Sequence, residues 1–294
     1  MQASFWQNGI ENSLSNLNDI QQQISTGKRI NLPSDDPAGA SQAMVFNSDL
    51  VTNNQYQRDV TSAQSFLTTS DGAYTSVENI ITSARQIASQ GANSTDTSTY
   101  TSLAGQVDSL ISNVISVANT QVGDKYIFSG TATQTQPYVD NPAAHTAPPV
   151  YNGNEGQINV TVGTNSQMTL NTPGDQIFDP IFTTLNDLKA NLNAAASSTP
   201  GAIDNISNDI TSLDSALTTV TTQHAVVGAK LQQLTTTQST LQKVAIDYSQ
   251  SLSNVQDTDL ATAYVQLQAD QNVYQASLVS TSKAFQYSLA NYLQ

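Results

Sequence analysis

The sequence predicts a mainly α-helical protein, an elongated coiled-coil rod with a small β-rich inserted outer domain. Three observations carry that expectation. Ile206, Ile210, Leu213, Leu217, Val220, His224, Val227, Leu231, Leu234, Gln238, Leu241, Ala245, Tyr248, Leu252 and Val255 follow alternating steps of four and three without a slip. All but His224 and Gln238 are apolar or aromatic, and apolar residues about every 3.5 positions let helices wrap around one another. Second, hydrophobic content is 38% and charged content only 11%, with much of the remainder Ser, Thr, Asn and Gln. That balance is poor for one thick core and suits elongated elements burying narrow stripes. Third, between residues 124 and 178 the helical rhythm gives way to short β-prone runs punctuated by Gly, Pro, Asn and Asp.

The first element is a helix over residues 10–24, with Ile10, Leu14, Leu17, Ile20 and Ile24 at helical spacing. Gly27 is its expected stop. Asn31-Leu32-Pro33-Ser34-Asp35-Asp36-Pro37 then reads as a loop. Asp36 is placed to cap the next helix, and Pro37 is tolerated at a first helical position. From there to about residue 90 runs a second helix with Val60, Ala63, Leu67, Ser70, Tyr74, Val77, Ile81, Ala84 and Ala88 in the 3–4 rhythm, and Gly91 as its stop. A third seam, Leu103, Val107, Leu110, Val114 and Val117, ends near Gly123.

Lys125-Tyr126-Ile127-Phe128-Ser129-Gly130 reads as a short strand with a turn. Tyr138, Val139, Val150, Tyr151, Ile158, Val160, Val162, Met168 and Leu170 fall in further β-prone runs, with an irregular loop from Pro142 to Pro149. A short helix follows over residues 180–196, and Thr199-Pro200 opens the long seam. Helices over 37–90 and 203–255 would each span about 80 Å at about 1.5 Å per residue, which predicts that they lie side by side. The last segment carries Leu260, Tyr264, Leu267, Tyr274, Leu278, Phe285, Leu289 and Tyr292 on one face. It mirrors the first helix. Neither stripe has an evident internal partner except the other, so Ile10, Leu14, Leu17, Ile24 and this C-terminal set are the expected subunit contacts of a polymerising protein.

The expected domains are residues 1–36 with 256–294 (terminal helical, inner), 37–130 with 179–255 (helical rod) and 131–178 (outer insertion). The chain of 294 residues has room for them.

Composition also excludes. A net charge of −14 with nine basic residues makes a poor ligand for nucleic acid or an anionic membrane. No apolar run approaches the roughly 20 residues of a membrane span, and no cleavable secretory signal is visible. Without cysteine there are neither disulfides nor cysteine–zinc sites. The two histidines do not form a catalytic or metal constellation. His224 sits in the seam, where a polar residue fixes register, and His145 lies in the Pro-rich loop. Ser34-Asp35-Asp36 lacks the glycine and distal Glu of an EF-hand and reads as loop and cap. Asp257 and Asp259 mark a helix break, with negative charge favoured at the next N-terminus. No enzyme, cofactor or metal is expected.

Ile24-Ser25-Thr26-Gly27-Lys28-Arg29-Ile30-Asn31, followed by Pro33-Ser34-Asp35-Asp36-Pro37-Ala38-Gly39, resembles the N-terminal signature of flagellins and flagellar hook-associated proteins. Asp257-Thr258-Asp259-Leu260-Ala261-Thr262 resembles the C-terminal signature before the last helix. Within the family, the Pro33–Pro37 loop and Gly123-Asp124-Lys125-Tyr126-Ile127-Phe128-Ser129-Gly130-Thr131 are similar to the hook–filament junction members. The resemblance covers both flanks and the rod, and not the insertion. The stretch before Ile24 is a few residues shorter than the family usually has, so the first residues are expected to be missing or variant. Arg85-Gln86-Ile87-Ala88 resembles the flagellin segment bound by an innate immune receptor, but Gln86 stands where flagellins place Glu, so receptor activation is not expected.

The resemblance implies a nonenzymatic axial subunit of the bacterial flagellum, exported unfolded by the flagellar type III apparatus with an export chaperone. Outside the cell it would form a helical ring of identical copies at the hook–filament junction, between hook-associated protein 1 and flagellin. Two alternatives stay open. The chain could be flagellin itself, or a secreted adhesin-like module binding through residues 131–178.

Overall fold

The computed structural model describes residues 2–139 and 147–292, with side chains from 7 to 283 in those spans. The order is α1 (Gln2–Thr26), α2 (Pro37–Asn93), α3 (Thr97–Ala118), β1 (Gln121–Val122), β2 (Lys125–Tyr126), β3 (Asn159–Gly163), β4 (Ser166–Thr169), α4 (Asp175–Ala196), α5 (Ala202–Gln256) and α6 (Leu260–Tyr292). The chain is thus mainly helical with two small antiparallel ladders, β1–β2 and β3–β4. None of the described helices is long and apolar enough to cross a membrane. The fold divides into two units, residues 1–54 with 243–294 and residues 55–242, and both long helices contribute to each.

In the larger unit, α2 and α5 run antiparallel. Arg85 pairs with Asp214, His224 meets Asp71 and Glu78, and the Gln57 side chain reaches the Leu241 carbonyl. The seam works as its spacing predicts: Ile206, Leu213, Val220, Val227, Leu234 and Leu241 are buried. The alternate positions Ile210, Leu217 and Leu231 pack partly buried against the same core. On α2, Val60, Ala63, Leu67, Tyr74, Val77, Ile81, Ala84 and Ala88 are buried. Helices α3 and α4 pack on each other, and Lys189 of α4 is paired with Asp108 of α3.

Several boundaries differ from expectation. Gly91 is not the stop of α2, which continues to Asn93. Its role is close approach: a Cβ there would lie 2.7 Å from Leu192 Cδ2 and 3.6 Å from Ile206 Cγ2. The buried line of α3 runs through Tyr100, Leu103, Val107, Ile111, Val114 and Ala118. Leu110 and Val117 flank it, partly buried. Asp96 caps this helix. Helix α4 begins at Asp175 and not at residue 180, with Pro180 inside it. The expected strand over 125–130 shrinks to Lys125-Tyr126. Beyond it Ile127, Phe128 and Ser129 are buried.

That departure forms an aromatic centre. Phe128 meets Phe178 at 4.9 Å between ring centroids and Tyr74 at 6.0 Å, and Tyr138 meets Phe182 at 4.9 Å. The Tyr138 hydroxyl donates to Asp179 Oδ1 at 2.5 Å. Burial is the first cause that pushes both groups up from their ordinary pKa values. Tyr138 also bridges Tyr151 as an isolated β-pair. Val162, Met168 and Leu170 of the second ladder and the residue after it join the same core. His145 and most of the Pro142–Pro149 loop lie outside the described residues.

In the smaller unit, α1 packs on α6. Ile20 and Ala263 are buried there.

Candidate functional site

Where α1 passes into α2, and α5 into α6, two chain segments meet in one joint. Gly27 ends α1 as expected: its φ of +71° is a left-handed conformation that glycine adopts without strain, and its N–H returns to the Gln23 carbonyl at 2.9 Å. Its own carbonyl accepts from Thr258 N at 3.0 Å. Lys28 and Asp257 form an antiparallel bridge. Arg29 N and Ile30 N both donate to the Gln256 carbonyl, at 2.7 and 3.3 Å. The last carbonyls of a helix have no partner within it, so this loop caps the C-terminus of α5.

Arg29 adds charge to that cap. Helix α5 has no basic residue in its last turn, and its C-terminus favours a cation. The Arg29 guanidinium donates from Nη2 to the Val255 carbonyl at 2.9 Å and to Asp36 Oδ2 at 3.2 Å. Asp36 in turn caps α2, its Oδ1 accepting from Gly39 N at 2.9 Å. One side chain therefore links the negative end of α5 to the carboxylate at the positive end of α2. Gly39 is required by the same packing, since a Cβ there would stand 2.6 Å from both Asp36 Oδ2 and Ile30 Cδ1.

Asp35 closes the loop inward. Its Oδ2 accepts from Asn31 N at 2.9 Å and Leu32 N at 2.8 Å. Those amides, Leu32 first, hold its carboxyl below the ordinary range. The Gly39 amide and then Arg29 do the same for Asp36. Across the joint Asp259 caps α6, accepting from Ala261 N at 2.9 Å and from the Thr262 hydroxyl at 3.0 Å. The Thr262 bonds lower its pKa first. Pro33, Leu32, Ile30, Ala40, Ala43 and Leu252 line an apolar hollow of about 280 Å³ beside the loop. Ser34 stands exposed between Pro33 and Asp35, and Pro37 occupies the first position of α2.

The predicted contact residues divide. On α1, Ile10, Leu17 and Ile24 are partly buried, and Leu14 is exposed. On α6, Leu267 and Tyr274 are partly buried, whereas Leu260, Tyr264 and Leu278 are exposed. Gln271 apart, the covered positions of α6, Ala263, Leu267, Asp270, Tyr274, Ser277 and Thr281, themselves step by four and three. They lie roughly one-fifth of a turn from the centre of the exposed group. Helix α1 thus covers one flank of the stripe and leaves the other bare. Phe285, Leu289 and Tyr292 lie on α6 with side chains outside the described residues. A cleft of about 690 Å³ between Asn8, Gly9, Asn12 and Val273, Ala276, Ser277, Ser280, Thr281 completes this region. Ile20, Ala263 and Thr281 were not among the predicted contacts. Alanine and threonine carry little apolar signal.

Among the described residues no group of three His, Cys, Asp or Glu side chains could hold a metal ion. The site fixes the path by which two terminal helices leave two long ones.

Paired terminal helices joined in this way to antiparallel long helices define a class of helical protein. The bacterial flagellin N-terminal helical region matches residues 1–133, and the flagellin C-terminal helical region matches residues 210–293. The chain belongs to the flagellin superfamily. Within it, the chain is similar to flagellar hook-associated protein 3 of Escherichia coli, at 29% identity over 92% of this chain and 90% of the relative. Flagellar hook-associated protein 3 of Salmonella typhimurium is 28% identical, over 89% of each chain. Among solved structures, a flagellar hook-associated protein of Vibrio parahaemolyticus shares the fold with a TM-score of 0.68 at 20% identity. That match covers 76% of this chain and 100% of the other.

Proposed function

We propose that this chain is a structural subunit of the bacterial flagellum that forms the junction between hook and filament. The observation that carries this reading is similarity to hook-associated protein 3 along nine-tenths of both chains, with both signature segments folded into one joint. The subunit works without catalysis or cofactor. Copies form a helical ring through the terminal helices, with Leu260, Tyr264 and Leu278 available to neighbours. One face meets hook-associated protein 1 and the other receives flagellin. Before assembly, an export chaperone holds the C-terminal stripe while the flagellar type III apparatus delivers the chain. In this reading residues 1–36 and 256–294 act as the inner assembly domain, 37–130 and 179–255 as the rod, and 131–178 as the outer domain.

Immunogold electron microscopy of flagella from the source bacterium, with a deletion strain as control, tests it. The expected result is one labelled zone between hook and filament, with lost filaments and secreted flagellin monomers in the deletion. Label along the whole filament would replace the junction reading with a filament subunit.

A further inference from the structure

His224 occupies a seam position of α5, yet both of its ring nitrogens meet carboxylates of α2. Nδ1 lies 2.9 Å from Glu78 Oε1, and Nε2 lies 2.9 Å from Asp71 Oδ1. An ionised carboxylate only accepts, so each contact needs an N–H. A neutral imidazole has one N–H, and its other nitrogen would set a lone pair against a lone pair. The geometry therefore calls for the imidazolium. Tyr74, on α2 between the two acids, lies nearly parallel to the ring, with centroids 6.0 Å apart and 17° between planes. An aromatic face in that position favours a cation.

Among the described residues, the surroundings add no competing charge. Burial pushes the Tyr74 phenol up to about 12, so it stays neutral. Behind it stands Phe128, edge-on at 6.0 Å. On α5 the residues within one turn of His224 that could reach it, Val220, Thr221, Val227 and Gly228, are uncharged. Asp71 and Glu78 are the charged groups that meet the ring.

The spacing of those acids matters. Gln57, Gln64, Asp71, Glu78 and Arg85 stand seven residues apart along α2. An apolar heptad seam is nearly self-similar, so sliding by one heptad keeps its apolar residues in phase. It does not keep His224 in phase. One slip would set the ring between Glu78 and Arg85, the other between Gln64 and Asp71. Only the observed register gives it two acids. We propose that His224, Asp71 and Glu78 form a proton-operated lock on the register of α5 against α2, closed when the imidazole carries both protons and open when one leaves.

The hydrogen bond with Glu78 is the largest influence and raises the basicity of His224 above its ordinary 6.5; burial, next in size, opposes it, and the hydrogen bond with Asp71 adds to the rise. A base strengthened in the folded state stabilises fully below its unfolded pKa, and that contribution is lost as pH rises through the folded value. The lock is therefore complete below about pH 6.5 and opens on the alkaline side.

The test uses the full chain with ¹³C-labelled histidine, its two ring signals assigned through the backbone. The His224 signal should titrate above 6.5, and Asp71→Asn with Glu78→Gln should return its midpoint toward the ordinary value. Between about pH 6 and about pH 9 the wild-type chain should lose a few degrees more of melting temperature than His224→Gln. A wild-type midpoint at or below the ordinary value, or equal pH dependence of melting in the two chains, overturns the proposal. The ring titration needs only the wild-type chain, so it decides the matter even where a variant folds poorly.

Discussion

Arg29 and Val255 are 226 residues apart, yet the Arg29 guanidinium donates to the Val255 carbonyl at 2.9 Å while also holding Asp36. The bond places a cation at the end of a helix that brings none of its own. Replacing Arg29 by Gln should leave the melting temperature nearly unchanged, because a half-exposed ion pair contributes little. Local opening should respond instead. Amide exchange at Arg29, Ile30 and Thr258 should speed up by roughly 3- to 10-fold, and assembly in vitro should slow. Unchanged exchange at those three amides would show that the main-chain bonds hold the joint without the guanidinium.

Gly91 should tolerate no branched side chain. Gly91→Val is expected to cost about 1–3 kcal/mol, as overpacking does in a close helix contact. The Leu192 methyl that a new Cβ would meet lies in a fully buried side chain. Adding Leu192→Ala should recover part of the loss, a non-additive pair. Denaturant unfolding of both single variants and the double variant measures it; strict additivity would remove the steric account.

Acid should loosen the joint before the larger core. Asp35, Asp36 and Asp259 have lowered pKa values, so their contribution is present above their ordinary 3.8 and is lost as pH falls from there through the lower folded values. Asp179 and Asp209, in the larger unit, are raised, with burial the first cause. For them protonation relieves a cost. Hydrogen exchange at about pH 3 should therefore show opening at residues 28–36 and 257–262 while residues near Asp179 and Asp209 stay protected. Simultaneous opening would contradict the contrast.

Thr281 is buried, and its hydroxyl has no hydrogen-bond partner among the described residues. Thr281→Val should stabilise the pairing of α1 with α6, by about 1 kcal/mol. Under the assembly reading it should also slow polymerisation, because ends held together are less free for neighbours. A thermal melt and an assembly time course test both halves.

How much of this was legible in the sequence depends on the range of the force involved. The α5 seam, the Asp36 cap and the Gly27 stop are set by residues within a turn or two, and their positions follow from spacing alone. Gly91 misled because a glycine that ends a helix and one that admits a neighbour look alike; Leu192 decides between them. Residues 127–129 misled because β propensity cannot report that Phe178 and Tyr74 offer Phe128 a better place than a strand would. The Arg29 clamp had no local signal at all. On α6 the apolar stripe was visible, but which flank meets α1 is set by small and polar residues, Ala263, Ser277 and Thr281, that carry no periodic apolar mark.

The bonds from Arg29 N and Ile30 N to Gln256, and from Thr258 N to Gly27, join main-chain atoms only. Such a ladder ignores which side chains flank it but depends on how many residues lie between its rungs. Most substitutions between Gly27 and Asp36 would leave it intact. Removing or inserting a single residue between Gly27 and Arg29 would put the Gly27–Thr258 rung out of step with the two rungs on Gln256, so the joint should resist changes of identity and fail on a change of length at that point.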